Sequence, residues 1–255
     1  MSKIADTDDW NTNWTAQERI AKSNPAQNFR HRLICFLVDK LETKDCLDIG
    51  CGSGDLLARM REKREEILLL GLEGSKVGTQ LTQQKVPSAL VWNVDLSADT
   101  QSWPSEVRGI SAECAVLSEV LEHVDDPVGL LKKCYSLLSN NGFVIVTVPG
   151  GPRTAFDKAI GHRRHYTRST LKQLLVDAGF RDVKVSAPGF PFFNLYKLVV
   201  FLRGDRLMSD IADFNDGSGR LAVIVMRLFN ILLRITPRAG RLGWQLIAVA
   251  QRGSH

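Results

Sequence analysis

Several classes of protein leave marks that this sequence does not carry. Its five cysteines, Cys35, Cys46, Cys51, Cys114 and Cys134, are an odd number with no CxxC pair. A disulfide or zinc framework is therefore not expected, and free thiols in a reducing compartment are. No run of about 18 uninterrupted apolar residues occurs, which argues against a membrane-spanning helix. The opening residues, MSKIADTDDW, are acidic and polar and lack the apolar centre of a signal peptide. There is no internal repeat and no low-complexity tract. These absences leave a cytoplasmic globular protein as the expectation, with no metal among its cofactors.

What is present fits that class. The chain has 255 residues, 44% hydrophobic and 24% charged, enough for one large domain with a full core. The formal charge of +5 suits an anionic substrate, a membrane surface or nucleic acid without choosing among them.

Residues 15–41 read as one or two helices, with Phe29, Leu33, Ile34, Leu37, Val38 and Leu41 at helical spacing. From there apolar strands alternate with amphipathic helices. Strands are expected at 47–50, 67–73, 89–95, 115–119, 143–149, 182–188 and 245–251. Helices are expected at 55–64, 75–86, 127–138 and 169–179, with Pro127 suited to a first turn. Continuous apolar strands separated by helices predict a mostly parallel sheet covered on both faces, a doubly wound α/β domain. The expected division is a helical N-terminal cap at 1–40, a core at 41–190 plus 243–252, and a helical insertion at 191–242.

In such a sheet a ligand sits beyond the carboxyl ends of the strands, so the polar residues there carry the information. The first strand runs into Asp48-Ile49-Gly50-Cys51-Gly52-Ser53-Gly54-Asp55. Three glycines in five residues permit positive φ and let a ligand reach bare backbone. Glu73 ends the second strand, where a carboxylate can accept both ribose hydroxyl protons. Asp95 ends the third, where it can accept from an adenine amino group, and Ser118 and Glu119 end the fourth. Acidic acceptors thus stand at successive corners of one crevice.

The segments LDIGCGSGDLL, Glu73, NVDL at 93–96, AVLSEVLEHVDDP at 115–127 and LLSNNGFVIVTVP at 137–149 together resemble the ordered motifs of class I S-adenosylmethionine-dependent methyltransferases. The flavour is that of the ubiquinone-biosynthesis type and its small-molecule relatives. The resemblance covers about residues 30–190 and the final strand. It implies a Rossmann-like fold with S-adenosylmethionine as cofactor and S-adenosylhomocysteine as product. It further implies that Asp48, Gly50, Cys51, Gly52 and Gly54 surround the methionine portion, Glu73 holds the ribose, and Asp95 with Leu96 lines the adenine. Ser118 would lie beside the cofactor and His123 near the acceptor. A nicotinamide-dependent oxidoreductase is the nearest competitor, because Glu73 also lies about twenty residues past the loop. The third glycine of GxGxxG would fall at Asp55, however, and a carboxylate there repels a pyrophosphate.

Methyl transfer needs alignment, with a base only where the acceptor must lose a proton. His123 is one candidate. A second cluster, His162, Arg163, Arg164, His165 and Tyr166, follows the fifth strand. There His165 or His162 is expected as base, Tyr166 as a further catalytic candidate, and Arg163 or Arg164 as holder of an acidic group. Arg30 and Arg32 are candidates for the donor carboxylate.

The insertion opens with an apolar, aromatic stretch from Phe190 to Leu202, followed by a helix expected from Arg220 to Ile235. Arg220, Arg227 and Arg234 recur every seven residues and line one stripe of that helix. Over 191–241, eight positive and four negative residues leave a net charge of +4. Three readings stay open: a lid over a hydrophobic pocket, a peripheral membrane contact, or a homodimer interface. Each favours a small hydrophobic or amphipathic acceptor, such as a prenyl, aromatic or lipid-linked compound, methylated on oxygen or nitrogen. Nucleic acid is disfavoured as a partner, since the basic residues interleave with aliphatics and no RNA-binding module is appended. RNA methylation and a silent, cofactor-binding scaffold remain the alternatives. Trp10 and Trp14 mark the expected N-terminal cap.

Overall fold

A computed structural model describes residues 24–203 and 217–254. The expectations on Trp10, Trp14 and the middle of the insertion lie outside the described residues. Helix α1 (Pro25–Lys40) begins at Asn24, whose side chain accepts from the backbone N–H groups of Ala26 and Gln27, with Pro25 in the first turn. The alternating units follow: β1 (Asp45–Ile49), α2 (Asp55–Lys63), β2 (Leu68–Glu73), α3 (Lys76–Lys85) and β3 (Leu90–Asn93). A 3₁₀ turn and the short helix α4 (Ser105–Arg108) lead to β4 (Ala112–Ser118), α5 (Pro127–Leu137) and β5 (Leu138–Pro149). The rest comprises α6 (Ala155–Ala159), α7 (Arg168–Asp177), β6 (Arg181–Ser186), α8 (Phe192–Arg203), α9 (Gly217–Ile235) and β7 (Gln245–Gln251).

The seven strands form one sheet in the order β3-β2-β1-β4-β5-β7-β6. The first five are mutually parallel, and β7 runs antiparallel to β5 and β6. The doubly wound expectation therefore holds, with a reversed strand near one edge. Both faces are buried. Cys46, Val116 and Ile145 point to one face, and their chain neighbours Leu47, Leu117 and Val146 point to the other. This explains why the central strands read as unbroken apolar runs rather than alternating ones. One face is covered by α4, α5 and α7 through Val107, Leu131, Leu171 and Leu175. The other is covered by α1, α2, α8 and α9 through Phe29, Leu57, Phe193 and Phe229.

Strand order reverses between β1 and β4, which opens a crevice at their carboxyl ends. The insertion helices lie over this crevice. Asn28 of α1 donates to Asn230 of α9 at 3.1 Å, and the Tyr196 hydroxyl of α8 donates to Asn24 at 3.4 Å. Among the described residues, no helix is long and apolar enough to cross a membrane.

Candidate active site

The crevice is a cavity of about 550 Å³, inside the range of ~300–1,000 Å³ typical of cofactor pockets. Asp48, Gly50, Cys51, Glu73, Asp95, Leu96 and Ser118 line one part of it, and Glu119, His123 and His162 another. Its roof comes from α1, α8 and α9, through Arg30, His31, Phe193, Tyr196, Lys197, Val200 and Met226.

The loop after β1 is shaped by its glycines. Gly50 and Gly54 have φ of +78° and +77°, and a Cβ on Gly54 would stand 2.8 Å from Thr82 Cγ2 and 3.0 Å from Thr82 Cα. Gly54→Ala should therefore cost about 2–4 kcal/mol of stability, from left-handed strain and overpacking together. A denaturant titration checks this, and a loss below ~0.5 kcal/mol would show that the turn relaxes.

The loop's own N–H groups are already used. Gly50 and Cys51 donate to the Leu72 carbonyl, Gly54 to the Cys51 carbonyl, and Gly52 to Glu73 Oε2 at 2.9 Å. A pyrophosphate would find no cradle at these four groups. This replaces the repulsion expected from Asp55, which Lys85 largely neutralises at 2.7 Å.

Glu73 is buried, and its other oxygen accepts from Ser75 N at 2.8 Å. Asp95 sits two residues past β3 rather than in it, exposed, with Oδ1 accepting from the N–H and hydroxyl of Ser97. Those bonds hold its carboxyl below the ordinary range. Asp48 is the opposite case. It is fully enclosed, its Oδ1 has no hydrogen-bond partner, and burial next to Glu73 pushes its pKa up to about 7. An acidic group so placed is stabilised by a cationic ligand.

The acceptor side is a network of titratable groups that converge from four segments. Glu119 follows β4 at φ +57°, the left-handed region. Burial alone would raise its carboxyl, but Arg30 at 3.6 Å and the Gln245 amide at 3.0 Å hold it below the usual range. Glu122 is fully buried, and neither of its oxygens accepts a hydrogen bond. Burial and then Glu119 push it well above the ordinary carboxylate range. Asp157 of α6 is held below its usual range despite burial, chiefly by Lys197 Nζ at 3.1 Å.

His162 lies among these groups. Burial, and next His123, lower its pKa to about 3, and burial lowers that of His165 too, so both rings are neutral near pH 7. Their tautomers follow from the contacts. The Gly151 carbonyl can only accept, so His165 Nδ1, at 3.2 Å, carries the proton. His165 Nε2 is then bare and accepts from His162 Nδ1–H at 3.2 Å. His162 Nε2 is left with its lone pair, 4.0 Å from Glu122 Oε1. That nitrogen can accept a hydrogen bond.

The structure separates residues that sequence spacing grouped. His123 and His162 line the cavity, whereas His165, Tyr166, Arg163 and Arg164 do not. Tyr166 is buried with its hydroxyl donating to the Leu121 carbonyl at 2.8 Å, which ties its loop to the end of β4. Arg163 pairs with the Asp125 carboxylate, and Arg164 donates to the Asp125 carbonyl. Both arginines point along the rim rather than inward. His165 acts behind His162. Gly52 and Gly54 shape the loop without lining the cavity. Arg30 lines it while engaged with Glu119, and Arg32 does not line it. Sequence reading missed Glu122, Asp157 and Lys197. Only the Glu119-x-x-Glu122-His123 spacing offered a signal, since Asp157 and Lys197 arrive from α6 and α8.

Comparisons with known proteins agree on one family. The family described as methyltransferase domain matches residues 23–185. A ubiquinone biosynthesis O-methyltransferase of Psychrobacter arcticus is 25% identical over 161 residues, 55% of this chain and 60% of that protein. One from Leptothrix cholodnii is 27% identical over 150 residues, 58% of this chain and 63% of that protein. The chain thus spans less than two thirds of these relatives. Among solved structures, a SAM-dependent methyltransferase of Thermotoga maritima superposes with a TM-score of 0.57 at 15% identity, covering 94% of this chain and 95% of that one. The plantazolicin methyltransferase in complex with SAH gives 0.58 at 14% identity, covering 96% and 89%.

Proposed function

The chain belongs to the class I S-adenosylmethionine-dependent methyltransferases through its methyltransferase domain, and on that premise we propose that it methylates an oxygen or nitrogen of a small amphipathic acceptor. The observation that carries this is the two-sided character of the cavity. Its β1–β2–β3 side offers carboxylates, and its roof sets Phe193, Val200 and Met226 beside Arg30 and Lys197.

The residues fit the cofactor. The enclosed Asp48 oxygen without a partner suits a ligand of net positive charge, and Glu73 sets a carboxylate acceptor for a ribose at the end of β2. Gly50 leaves bare backbone where the loop lines the cavity. When bound, the sulfonium supplies an electrophilic methyl group. The chain's part is to align and to exclude water. Phe193, Tyr196, Val200 and Met226 give the acceptor apolar contacts, and His162 Nε2 can accept a hydrogen bond from its O–H or N–H, which orients the attacking lone pair.

This reading predicts how an acceptor series behaves. Each methylene added to the acceptor's tail should lower KM about fourfold until those contacts are filled, from ~0.8 kcal/mol per buried CH₂. Transfer of a labelled methyl group measures it. A KM that is flat along the series would contradict an apolar acceptor site, and no transfer to any acceptor would favour the silent scaffold.

The outer face of α9 supports a lipid-dissolved acceptor. Ile224, Leu228, Ile231 and Ile235 are exposed, the last at 72%, on the same face as the exposed Arg227 and Arg234. Met226, Phe229 and Leu233 face inward. Apolar side chains flanked by arginines suit an anionic lipid surface. Ile231→Glu should reduce co-sedimentation with anionic vesicles at least tenfold, with weaker binding to zwitterionic ones. A dimer that dissolves in the same variant, together with no vesicle binding, would assign the face to self-association instead.

A further inference from the structure

We propose that Arg32, Arg59, Arg234 and Arg238 form a binding site for a phosphate group, on the outer side of the seam between α1, α2 and α9. The site is separate from the cavity, which none of the four lines, and it goes beyond methyl transfer.

Helix register brings these residues together. Asn28 of α1 donates to Asn230 of α9 at 3.1 Å, and the Arg238 guanidinium, just past α9, lies over the Phe36 ring of α1 at 4.4 Å. Residue numbers rise together along this seam, so α1 and α9 run parallel. Arg32 and Arg234 each stand one helical turn beyond the paired asparagines and fall between the two contacts. Arg59 arrives from α2, where its Nη1 donates to the carbonyl and to Oδ1 of Asn28, both at 3.3 Å.

Their charge is left unbalanced. Among the described residues, no carboxylate makes an ion pair with any of the four. Asp39 of α1 is engaged by Lys63 at 3.6 Å, and Asp55 of α2 by Lys85 at 2.7 Å. Glu62, the other acid of α2, is exposed and pairs with none of them. Arg32 is half-buried, and its Nη2 is enclosed without a hydrogen-bond partner. Burial, and then the charges of Arg59, Arg234 and Arg238, bring its pKa from 12.5 down to about 10, so it stays charged near pH 7. Like charges crowded at a half-buried position repel, and an anion among them removes that cost.

Phosphate is the anion whose shape fits. A carboxylate is planar and is matched by a single guanidinium fork. A phosphate group turns three acceptor oxygens in different directions, so forks that arrive from α1, α2 and α9 can each engage one. A soluble phosphate ester and the headgroup of an anionic phospholipid share this chemistry. Helices α1 and α9 also roof the cavity through Arg30, His31 and Met226. An anion across the seam therefore fastens that roof from outside.

Calorimetric titration of the full chain with inorganic pyrophosphate, at constant ionic strength and with S-adenosylhomocysteine saturating the crevice, reads the site directly. One equivalent should bind with a Kd below about 1 mM. Arg32→Gln and Arg234→Gln should each weaken binding at least tenfold. Arg181→Gln, which removes the same charge from β6, should leave it unchanged. Arg234 is exposed, so its variant keeps the test decisive if Arg32→Gln does not fold. Vesicles of phosphatidylglycerol that displace pyrophosphate would assign the site to a lipid headgroup, and vesicles that do not compete would assign it to a soluble ester. No saturable heat in wild-type protein that binds S-adenosylhomocysteine would overturn the site, as would equal weakening by Arg181→Gln. Pyrophosphate binding seen only without S-adenosylhomocysteine would place the anion in the crevice and overturn it too.

Discussion

Asp48→Asn is expected to weaken donor binding ten- to a hundredfold while it makes the donor-free protein more resistant to heat at pH 8. Both effects come from one buried carboxyl. Its pKa rises from an ordinary 3.8 to about 7, through burial and then the charge of Glu73. In the unfolded chain it ionises near the ordinary value. The fold therefore carries no penalty below about pH 4. The penalty grows as pH rises towards 7 and stays constant above it. It reaches on the order of 2–4 kcal/mol, since each tenfold change in an acidity constant is worth ~1.36 kcal/mol. Asparagine removes that penalty, so the gain in melting temperature should be several degrees at pH 8 and small at pH 4. Donor binding moves the other way. A donor of net positive charge draws on the ionised form, and a charged contact contributes about 1.5–3 kcal/mol. Below pH 7 the wild-type protein must release a proton to bind. Its apparent affinity should fall about tenfold per pH unit there, and Asp48→Asn should flatten that profile. Unchanged affinity and unchanged melting at pH 8 would show that Asp48 plays no part in the donor site.

His162→Ala should lower turnover by about 10²–10³ with S-adenosylhomocysteine affinity unaltered. The alanine removes the lone pair that faces the acceptor, while the donor residues Asp48, Glu73 and Asp95 stand on or just past other strands. Neighbouring substitutions should be graded. His165→Ala leaves His162 Nδ1–H without its acceptor and should cost about tenfold. Tyr166→Phe deletes the hydrogen bond to the Leu121 carbonyl. It should cost about 1 kcal/mol of stability and change turnover by less than about twofold. Single-turnover kinetics separate these effects from product release. Equal losses at His162 and Tyr166 would mean that the loop acts as a unit, and the tautomer argument would not stand.

The donor side was legible because it is local. Asp48 and its glycines are contiguous, and Glu73 and Asp95 stand at or just past ends of strands whose unbroken apolar runs are visible without partners. The segment from 96 to 111 was not legible. Its polar residues have no period, and its fold depends on Trp103, whose indole N–H donates to the Asp95 carbonyl. Nor was the direction of β7, since an apolar run buried on both faces reads alike in either orientation. The acceptor side was half legible. Histidine spacing pointed to the loop from 162 to 166, but the division between cavity and rim depends on partners far along the chain. Leu121 for Tyr166, Asp125 for Arg163 and Lys197 for Asp157 lie 38 to 45 residues away. No local pattern encodes such pairings.

Calorimetric titration of the full chain with S-adenosylmethionine at pH 6 and pH 8, repeated with NADH, is the most direct check on the donor crevice. One molar equivalent should bind, with uptake of a proton by the buffer at pH 6 and almost none at pH 8, and NADH should give no heat. Binding of NADH without S-adenosylmethionine would contradict the assignment of the β1–β4 crevice to a sulfonium nucleoside.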